Sequence, residues 1–183
     1  VAKCIFFLLN KNCMGFISPA QCAAGKGPLI FDNVIELETA SLRISATEPE
    51  GGLCAAFDYS AAFPSLLRDW LWLVLRVMGV PHNIICAIRN LYANARHVVL
   101  PQFFGPQFVI WVCNGIKQGC PLSAILFSLA LAPFVFSLVR RAGPKCLVKS
   151  YLDDIGLVLD SWLRFNRILD LFDQFGKFAK LRL

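Results

Sequence analysis

The sequence predicts an α+β fold in which an antiparallel sheet packs against helices on one face. Short segments of strand character alternate with longer segments whose apolar residues recur at helical spacing. Turn residues separate two pairs of the short segments, which is typical of hairpins. The resulting order is strand, two helices, hairpin, helix, hairpin and helix, and such an order is typical of a sheet layer covered by helices.

The individual elements follow from local signals in chain order. Residues 1–24 carry a weak pattern, whereas an apolar stripe predicts a helix over about 29–45. Residues 53–57 are expected to form a short buried strand that ends at Asp58. Because proline is favoured at the first helical position, Pro64 and Pro81 should each open a helix, ending near 78 and 95. The remaining elements are a hairpin over 98–100 and 108–112, a helix over 122–141, a hairpin around 150–159 and a helix over 163–180.

The distribution of charge indicates a polyanionic partner. The chain of 183 residues has a formal net charge of +6. No acidic residue occurs from Trp70 to Leu152, and a stretch with bases alone favours binding to nucleic acid. Solvated helix faces that happen to lack acids are the alternative. The eight bases of this stretch are Arg76, Arg89, Arg96, Lys117, Arg140, Arg141, Lys145 and Lys149.

The cysteines indicate a reducing compartment. Eight are scattered along the chain without a CxxC pair or a Cys/His cluster, so neither a disulfide framework nor a zinc site is predicted. Most lie in apolar surroundings and are expected to be buried thiols. The apolar stretch at 5–9 is too short for a signal peptide. We therefore expect an intracellular protein that is not secreted.

One segment raises the possibility of a membrane span. Residues 122–139 are uncharged and Arg140 and Arg141 follow, which is a borderline pattern for a transmembrane helix. Ser123, Ser128 and Pro133 speak against a span, and a helix that is apolar on all sides can equally lie in a protein core. A small membrane protein anchored by 122–139 stays an alternative, but it does not account for the acidic residues described next.

Two neighbouring carboxylates are predicted at the tip of the second hairpin. Asp153 and Asp154 lie between two short segments of strand character. Adjacent acids repel each other, so their presence at a tip favours a bound cation. An ordinary Asp-Asp turn is the alternative, because Asp is common in turns.

Three stretches in this order resemble a known family. FDYSAAF at 57–63, GIKQGCPLS at 115–123 and YLDD at 151–154 are similar to motifs A, B and C of reverse transcriptases. The likeness is greatest to the non-LTR (LINE-type) retrotransposon enzymes, which typically read FDFSKAFDSV, GVRQGCPLSP and YADD. Further matches are Gln21, Gly27, Asp32 and Asn33 before motif A, Leu91-Tyr92 before motif B, and the motif D-like end at 175–183, so that the resemblance covers about 21–183.

The resemblance implies a right-hand polymerase palm. Residues 51–183 would form the palm and 1–50 a partial fingers segment, with no thumb. The implied function is that of an RNA-directed DNA polymerase, which adds dNTPs to a DNA primer on an RNA template. Its partners would also include the fingers and thumb regions of a longer polyprotein. The implied location is nuclear or in a cytoplasmic ribonucleoprotein.

The resemblance also implies roles for particular residues. Nucleotidyl transfer of this kind uses two divalent ions, Mg²⁺ or also Mn²⁺. By resemblance, Asp58 and Asp153 bridge the two ions, Tyr59 adds its backbone carbonyl and Asp154 supports them. The remaining implied sites are Phe63 as a steric gate against a ribose 2′-hydroxyl, Gln118 and Gly119 beside the incoming nucleotide, and Lys117 and Tyr151 near template and primer.

The sequence also departs from the family pattern. Ala61 stands where the family usually has Lys, Pro64 where it has Asp, and Pro28 where it has Arg. The metal-binding carboxylates are thus present while several supporting polar residues are not. A palm fragment from a decayed and catalytically inactive element is therefore the second hypothesis.

Overall fold

The computed structural model describes residues 1–22, 30–48, 51–93, 95–99 and 108–183. The predicted loop at 25–28, with Gly27 and Pro28, falls outside these ranges, as does the loop of the 98–112 hairpin. In chain order the elements are α1 (Ala2–Cys13), a 3₁₀ turn (Met14–Phe16), α2 (Ile30–Thr47), β1 (Leu53–Asp58), α3 (Ala62–Ser65), α4 (Arg68–Val77), α5 (His82–Tyr92), β2 (Arg96–Val99), β3 (Phe108–Trp111), α6 (Ser123–Ala142), β4 (Leu147–Tyr151), β5 (Asp154–Leu159) and α7 (Trp162–Ala179).

The central sheet has the antiparallel strand order β1-β5-β4. A separate antiparallel pair joins β2 to β3, as the sequence predicts. One face of the central sheet contributes Ile155, Leu157 and Leu159 to the main core, which also contains the buried side of α6 and α7. The predicted α+β class with an antiparallel sheet packed on helices is therefore confirmed.

The opposite face of the sheet is covered in part by α2, which corrects the prediction of helices on one face only. Val158 packs with Ala40 and Ile44 of α2 in a second, smaller cluster. Neighbouring residues of a strand point to opposite faces, so Val158 and Leu157 lie on different sides. A Cβ added to Gly156 would stand 2.6 Å from Leu37 Cδ1, and glycine thus lets the helix approach the strand closely.

Helix α6 is the central core element. Thirteen of its residues are buried, and each large apolar side chain removed from water contributes about 1.5–3 kcal/mol. It is the one described helix that is long and apolar enough to span a membrane, and 67% of its apolar 18-residue stretch is buried inside the protein. Burial against α4, α7 and β4 accounts for its apolar sequence without a bilayer.

Two helices of the structure differ from their predicted bounds. The helix expected from Pro64 to about 78 is divided into α3 and α4, because Leu66 and Leu67 have extended backbone angles. Two of their backbone groups make tertiary hydrogen bonds in place of helical ones: Leu67 N–H donates to Ala179 O at 2.9 Å, and Leu66 O accepts from Gly115 N–H at 2.9 Å. Helix α5 ends at Tyr92 and not near 95, since the backbone of Ala93 turns to an extended conformation that leads into β2.

One helix was not predicted, and two further predictions were wrong. The weak segment 1–24 contains α1, whose buried Ile5, Leu9 and Cys13 recur every four residues. Strand β1 alternates between half-buried and exposed residues and is not fully buried, because one face of an antiparallel sheet can face solvent. The cysteines are free thiols, but only Cys13 and Cys22 are buried, whereas Cys4, Cys54 and Cys113 are exposed.

Candidate active site

The predicted carboxylates meet where β1 ends and β5 begins. Asp58 is the last residue of β1 and lies directly opposite Asp154, the first residue of β5. Tyr151, the last residue of β4, lies opposite Asp154 on its other side. Directly opposed residues of an antiparallel pair project to the same face, so these three side chains share one face of the sheet. The hairpin turn consists of Leu152 and Asp153, which places Asp154 in the strand and not in the turn as predicted.

The carboxylates disfavour one another electrostatically. Burial raises the pKa of Asp154, and the charges of Asp153 and Asp58 raise it further. Across the described ranges, none of the three carboxylates pairs with a basic side chain. Concentrated negative charge without a basic partner favours a bound cation.

The turn that carries Asp153 has an unusual backbone. Leu152 has a φ of 54°, in the left-handed region that a side chain bearing a Cβ rarely adopts. Its carbonyl accepts a hydrogen bond from Ser150 Oγ at 3.3 Å. Positive φ at a bulky residue costs on the order of 1–2 kcal/mol and is maintained here by the paired strands on both sides.

The segment before α2 holds the hairpin from its outer edge. Gln21 forms a parallel bridge with Ser150, through Ser150 N–H to Ala20 O and Cys22 N–H to Ser150 O, both at 2.8 Å. The Gln21 side chain is buried and donates from Nε2 to Ser128 O at 3.0 Å. Gln21, which the resemblance singled out, thus links the motif C hairpin to α6.

Motif A continues from Asp58 into the core. Tyr59 is buried among Phe134, Phe172 and Phe175, and burial raises the pKa of its hydroxyl. The Phe63 ring stacks on Phe127 with centroids 4.8 Å apart, so this residue is a half-buried core aromatic whatever its role toward a nucleotide. The roles of the Tyr59 carbonyl as a metal ligand and of Phe63 as a gate stay predictions.

The motif B loop starts at a fixed point and then becomes exposed. Gly115 has a φ of 74°, and a Cβ there would overlap the backbone of Pro64. Lys117, Gln118 and Gly119 are exposed. Gly119 has a φ of 80°, which favours glycine, and no part of the described chain crowds the space beside it. The Ser123 hydroxyl donates to Lys117 O and closes the loop onto α6.

Several of the bases singled out by the sequence make contacts with other side chains in the fold. Lys149 is buried and pairs with Glu36 of α2 at 2.6 Å, which makes it unsuitable for contact with nucleic acid. Lys145 pairs with Glu48 at 3.2 Å on the surface. Arg89 lies over the Trp72 ring at 5.4 Å. Two bases of the acid-free stretch of sequence thus have acidic partners in the fold, which come from other parts of the chain.

A cleft that the sequence reasoning missed lies beside motif A. It has a volume of about 990 Å³, and its lining includes Ser60 and Ala61 together with three bases, Lys177, Lys180 and Arg182. The backbones meet there as well, since Ser60 N–H donates to Arg182 O at 2.8 Å. The bases near the end of the sequence were the available signal, but only the fold brings them next to residues more than a hundred positions earlier.

No complete metal-binding cluster is present in the parts of the chain that the structure describes. No three His, Cys, Asp or Glu side chains there are arranged to hold a metal ion by themselves. A Mg²⁺ ion that acts on phosphates is commonly held by one or two carboxylates, with substrate oxygens and water completing its coordination. The paired Asp58 and Asp154 fit that partial donor set.

The sequence matches a family model over almost its whole length. Residues 3–183 match the model described as reverse transcriptase (RNA-dependent DNA polymerase). The Transposon TX1 uncharacterized 149 kDa protein of Xenopus laevis is 26% identical over 201 aligned positions, which cover 100% of this chain and 14% of that protein. The retrovirus-related Pol polyprotein from the type-2 retrotransposable element R2DM of Drosophila melanogaster is 26% identical over 134 positions, or 70% of this chain and 13% of that protein.

Solved structures with a similar fold include telomerases. Apo telomerase from Candida tropicalis, truncated from its C-terminal domain, superposes with a TM-score of 0.66 at 16% identity over 99% of this chain and 38% of that one. Telomerase from Candida albicans in complex with a fragment of telomeric RNA gives 0.69 at 13% identity over 94% and 32%. The chain thus spans about a seventh of the curated relatives and about a third of the telomerases. It belongs to the reverse transcriptase (RNA-dependent DNA polymerase) family, with relatives among the non-LTR retrotransposon proteins.

Proposed function

We propose that this chain is the palm of an RNA-directed DNA polymerase, which extends a DNA primer with dNTPs on an RNA template. The observation that carries the proposal is the register of β1 and β5, which sets Asp58 opposite Asp154 next to the turn that bears Asp153. Within the described residues these three acids pair with no base, and their mutual repulsion makes this grouping unfavourable for folding. They suit a reaction that needs divalent cations at phosphates.

The residues present fit a pair of Mg²⁺ ions, with Mn²⁺ as an alternative. Asp58, Asp153 and Asp154 supply hard oxygen donors, and phosphate oxygens of the substrate and water would complete the coordination. When bound, the ions lower the pKa of the primer hydroxyl and offset charge on the leaving pyrophosphate. The carboxylates of this chain would bind and orient the ions, and the Tyr59 carbonyl is the proposed further ligand.

The surroundings of the carboxylates support the remaining assignments. The cleft beside Ser60 and Ala61 carries Lys180 and Arg182, whose positive charges suit the phosphates of a dNTP, while its third base, Lys177, pairs with Asp173. The exposed Gln118–Gly119 loop is anchored to the segment that contains Phe63, and this supports a place beside the nucleotide base. Tyr151 and Lys117 are exposed and available to template or primer.

We also propose that the chain acts inside the cell as part of a longer polyprotein. All eight cysteines are free thiols, which is usual in reducing compartments. The small share of each curated relative that the chain covers supports a longer parent protein. Residues 51–183 as palm and 1–50 as partial fingers stay the proposed division.

Primer extension tests the proposal. The chain is incubated with a DNA primer on an RNA template, dNTPs and Mg²⁺, beside Asp153→Ala, Asp58→Asn and the matched surface variant Asp170→Asn on α7. Extension by the wild type and Asp170→Asn, with a loss of at least about a hundredfold in the two site variants, is expected. Extension that survives in Asp153→Ala and Asp58→Asn would overturn the assignment of the carboxylates. If the wild type extends no primer while circular dichroism shows an intact fold, the result would favour the hypothesis of a palm fragment from an inactive element.

A further inference from the structure

We propose that Arg68 is a positioning residue, which fixes the motif B loop with Gln118 and Gly119 against the segment that carries Asp58 and Phe63. The resemblance to reverse transcriptases does not single out this position. The inference rests on the proposed polymerase function for its consequence, whereas the anchoring itself can be measured without any polymerase activity.

The Arg68 side chain joins two parts of the chain that are far apart in sequence. Its Nε donates to Gly115 O at 2.8 Å and its Nη2 to Asn114 O at 3.2 Å. Its Nη1 donates to Tyr92 O at 3.2 Å, and the guanidinium lies 5.3 Å from the centre of the Tyr92 ring. One planar group therefore holds the end of α5 and the start of the motif B loop together.

The location of Arg68 is unfavourable for its own helix. It is the first residue of α4, where the positive end of the helix dipole disfavours a cation. The same cation is favourable for α5, because it lies at the C-terminal end of that helix. Tyr92 is the last residue of α5 and its carbonyl lacks a helical partner. Arg68 thus acts as a cap for the C-terminal end of α5, supplied from another helix. This compensation accounts for a base at an otherwise unsuitable position.

The motif B loop also donates hydrogen bonds to the segment immediately before Arg68. Gly115 N–H donates to Leu66 O at 2.9 Å, and Ile116 N–H donates to Phe63 O at 2.8 Å. Gly115 therefore donates through its N–H and accepts through its carbonyl, while the absence of a Cβ lets it pack against the backbone of Pro64. The bonds that Leu66 and Phe63 accept, together with those that Arg68 donates, fix the loop immediately before Lys117.

Lysine cannot reproduce this arrangement. The guanidinium directs three N–H groups at three carbonyls from one rigid plane, whereas an ammonium is a single point with freely rotating donors. Because the side chain is only half-buried, a lysine could still retain its charge there. Arg68→Lys should consequently keep the fold and lose part of the anchoring.

Hydrogen exchange measures the anchoring directly. We would compare exchange of the amides of Gly115 and Ile116 in the wild type, Arg68→Lys and Arg68→Met. The matched control is Arg43→Met, since Arg43 also donates to a backbone carbonyl, that of Lys145, but far from the loop. Faster exchange of these two amides, on the order of tenfold for Arg68→Met, less for Arg68→Lys and unchanged in the control, is expected if local opening is what Arg68 prevents.

The outcomes decide the proposal separately from the polymerase assignment. Unchanged exchange of both amides in Arg68→Met and Arg68→Lys would overturn it. So would an increase spread evenly over the chain, including buried β5, in Arg68→Lys, since that would indicate only a general loss of stability. If Arg68→Met does not fold, Arg68→Lys decides by the same criterion. If the wild type extends primers, the KM for dNTP should rise on the order of tenfold in Arg68→Lys with a smaller change in kcat. A wild type without activity counts against the polymerase function and leaves the exchange result to decide the positioning role.

Discussion

Asp58 and Asp154 lie directly opposite each other in the antiparallel β1–β5 pair, on one face of the sheet. Like charges in such a position destabilise a sheet. The pKa of Asp154 is raised by burial first, and then by the charges of Asp153 and Asp58. A strand end where grouped charges are unfavourable for folding and favourable for a cation is typical of a functional site.

We expect Asp154→Asn to stabilise the fold in the absence of divalent ions. Because the pKa of Asp154 is higher in the folded chain, the folded chain binds more protons than the unfolded chain at pH values between the two pKa values. This carboxyl therefore favours the folded state below its unfolded pKa of about 3.9, and the contribution is lost as the pH rises through the raised value. At pH 7 the variant should gain less than about 1 kcal/mol, because the side chain loses only part of its hydration in the fold and is still exposed to solvent that screens its charge.

Urea denaturation across a pH series checks this expectation. The difference between Asp154→Asn and the wild type should be largest near pH 7 and shrink toward pH 4. Asp170→Asn, an exposed carboxylate on α7, serves as the control and should differ from the wild type by less than about 0.5 kcal/mol at any pH. A loss of stability in Asp154→Asn at pH 7 would contradict the repulsion inferred here.

Divalent ions should reverse the sign of the stability difference between Asp154→Asn and the wild type. A ligand that binds only the folded chain stabilises it, by about 1.4 kcal/mol at ten times its dissociation constant. Mg²⁺ or Mn²⁺ is therefore expected to raise the thermal midpoint of the wild type, and EDTA should lower it again. In the double variant Asp58→Asn/Asp154→Asn the response should disappear. KCl of equal ionic strength separates binding from screening, and an equal Mg²⁺ response in the double variant would refute the site.

The sequence predicts the central hairpin well because its signals are local. The order of apolar strands around two acids predicts β4, β5 and the turn with Asp153, although Asp154 lies in β5 and not in the turn. Helices α6 and α7 follow from long apolar patterns. The division of the 64–78 helix could not be foreseen, since the bonds that cause it come from Ala179 and Gly115, far away in sequence. The anchoring role of Arg68 depends on the same kind of distant contact.

The fate of the basic residues illustrates the same limit. Lys149 belongs to an acid-free stretch of sequence, yet its partner Glu36 comes from α2, more than a hundred positions earlier. Net charge along the chain predicts a partner class, but only tertiary structure determines which bases are available for it.

Two glycines of the motif B loop should differ in how well they tolerate a side chain. In Gly115→Ala, a positive φ combines with overlap of the new Cβ with the Pro64 backbone, and a loss of more than about 3 kcal/mol is expected. In Gly119→Ala only the positive φ is unfavourable, because the space beside it is open, and about 1 kcal/mol should be lost. Equal losses of unfolding free energy in urea denaturation would mean that Gly115 does not pack against the Pro64 backbone as described.

The ion pair between Lys149 and Glu36 should matter more than the one between Lys145 and Glu48. The Lys149 side chain is only 9% exposed, so Glu36→Gln leaves a nearly buried ammonium without its carboxylate, at a cost of about 2 kcal/mol. Lys145 is 72% exposed, and Glu48→Gln should change the free energy of unfolding by less than about 0.5 kcal/mol. Comparable effects of the two substitutions would show that Lys149 reaches solvent.

Tyr59→Phe should stabilise the chain. Among the described residues the Tyr59 hydroxyl is buried without a hydrogen-bond partner, and leaving such a group unsatisfied costs about 1–3 kcal/mol. Phenylalanine keeps the contacts with Phe134, Phe172 and Phe175 and removes the hydroxyl, so a gain of about 1 kcal/mol is expected. Tyr151→Phe, at an exposed tyrosine, is the control and should change stability little in the same denaturation series. A loss in Tyr59→Phe would reveal a partner for the hydroxyl, and the residue after Asp58 would then owe its identity to that contact and not to packing alone.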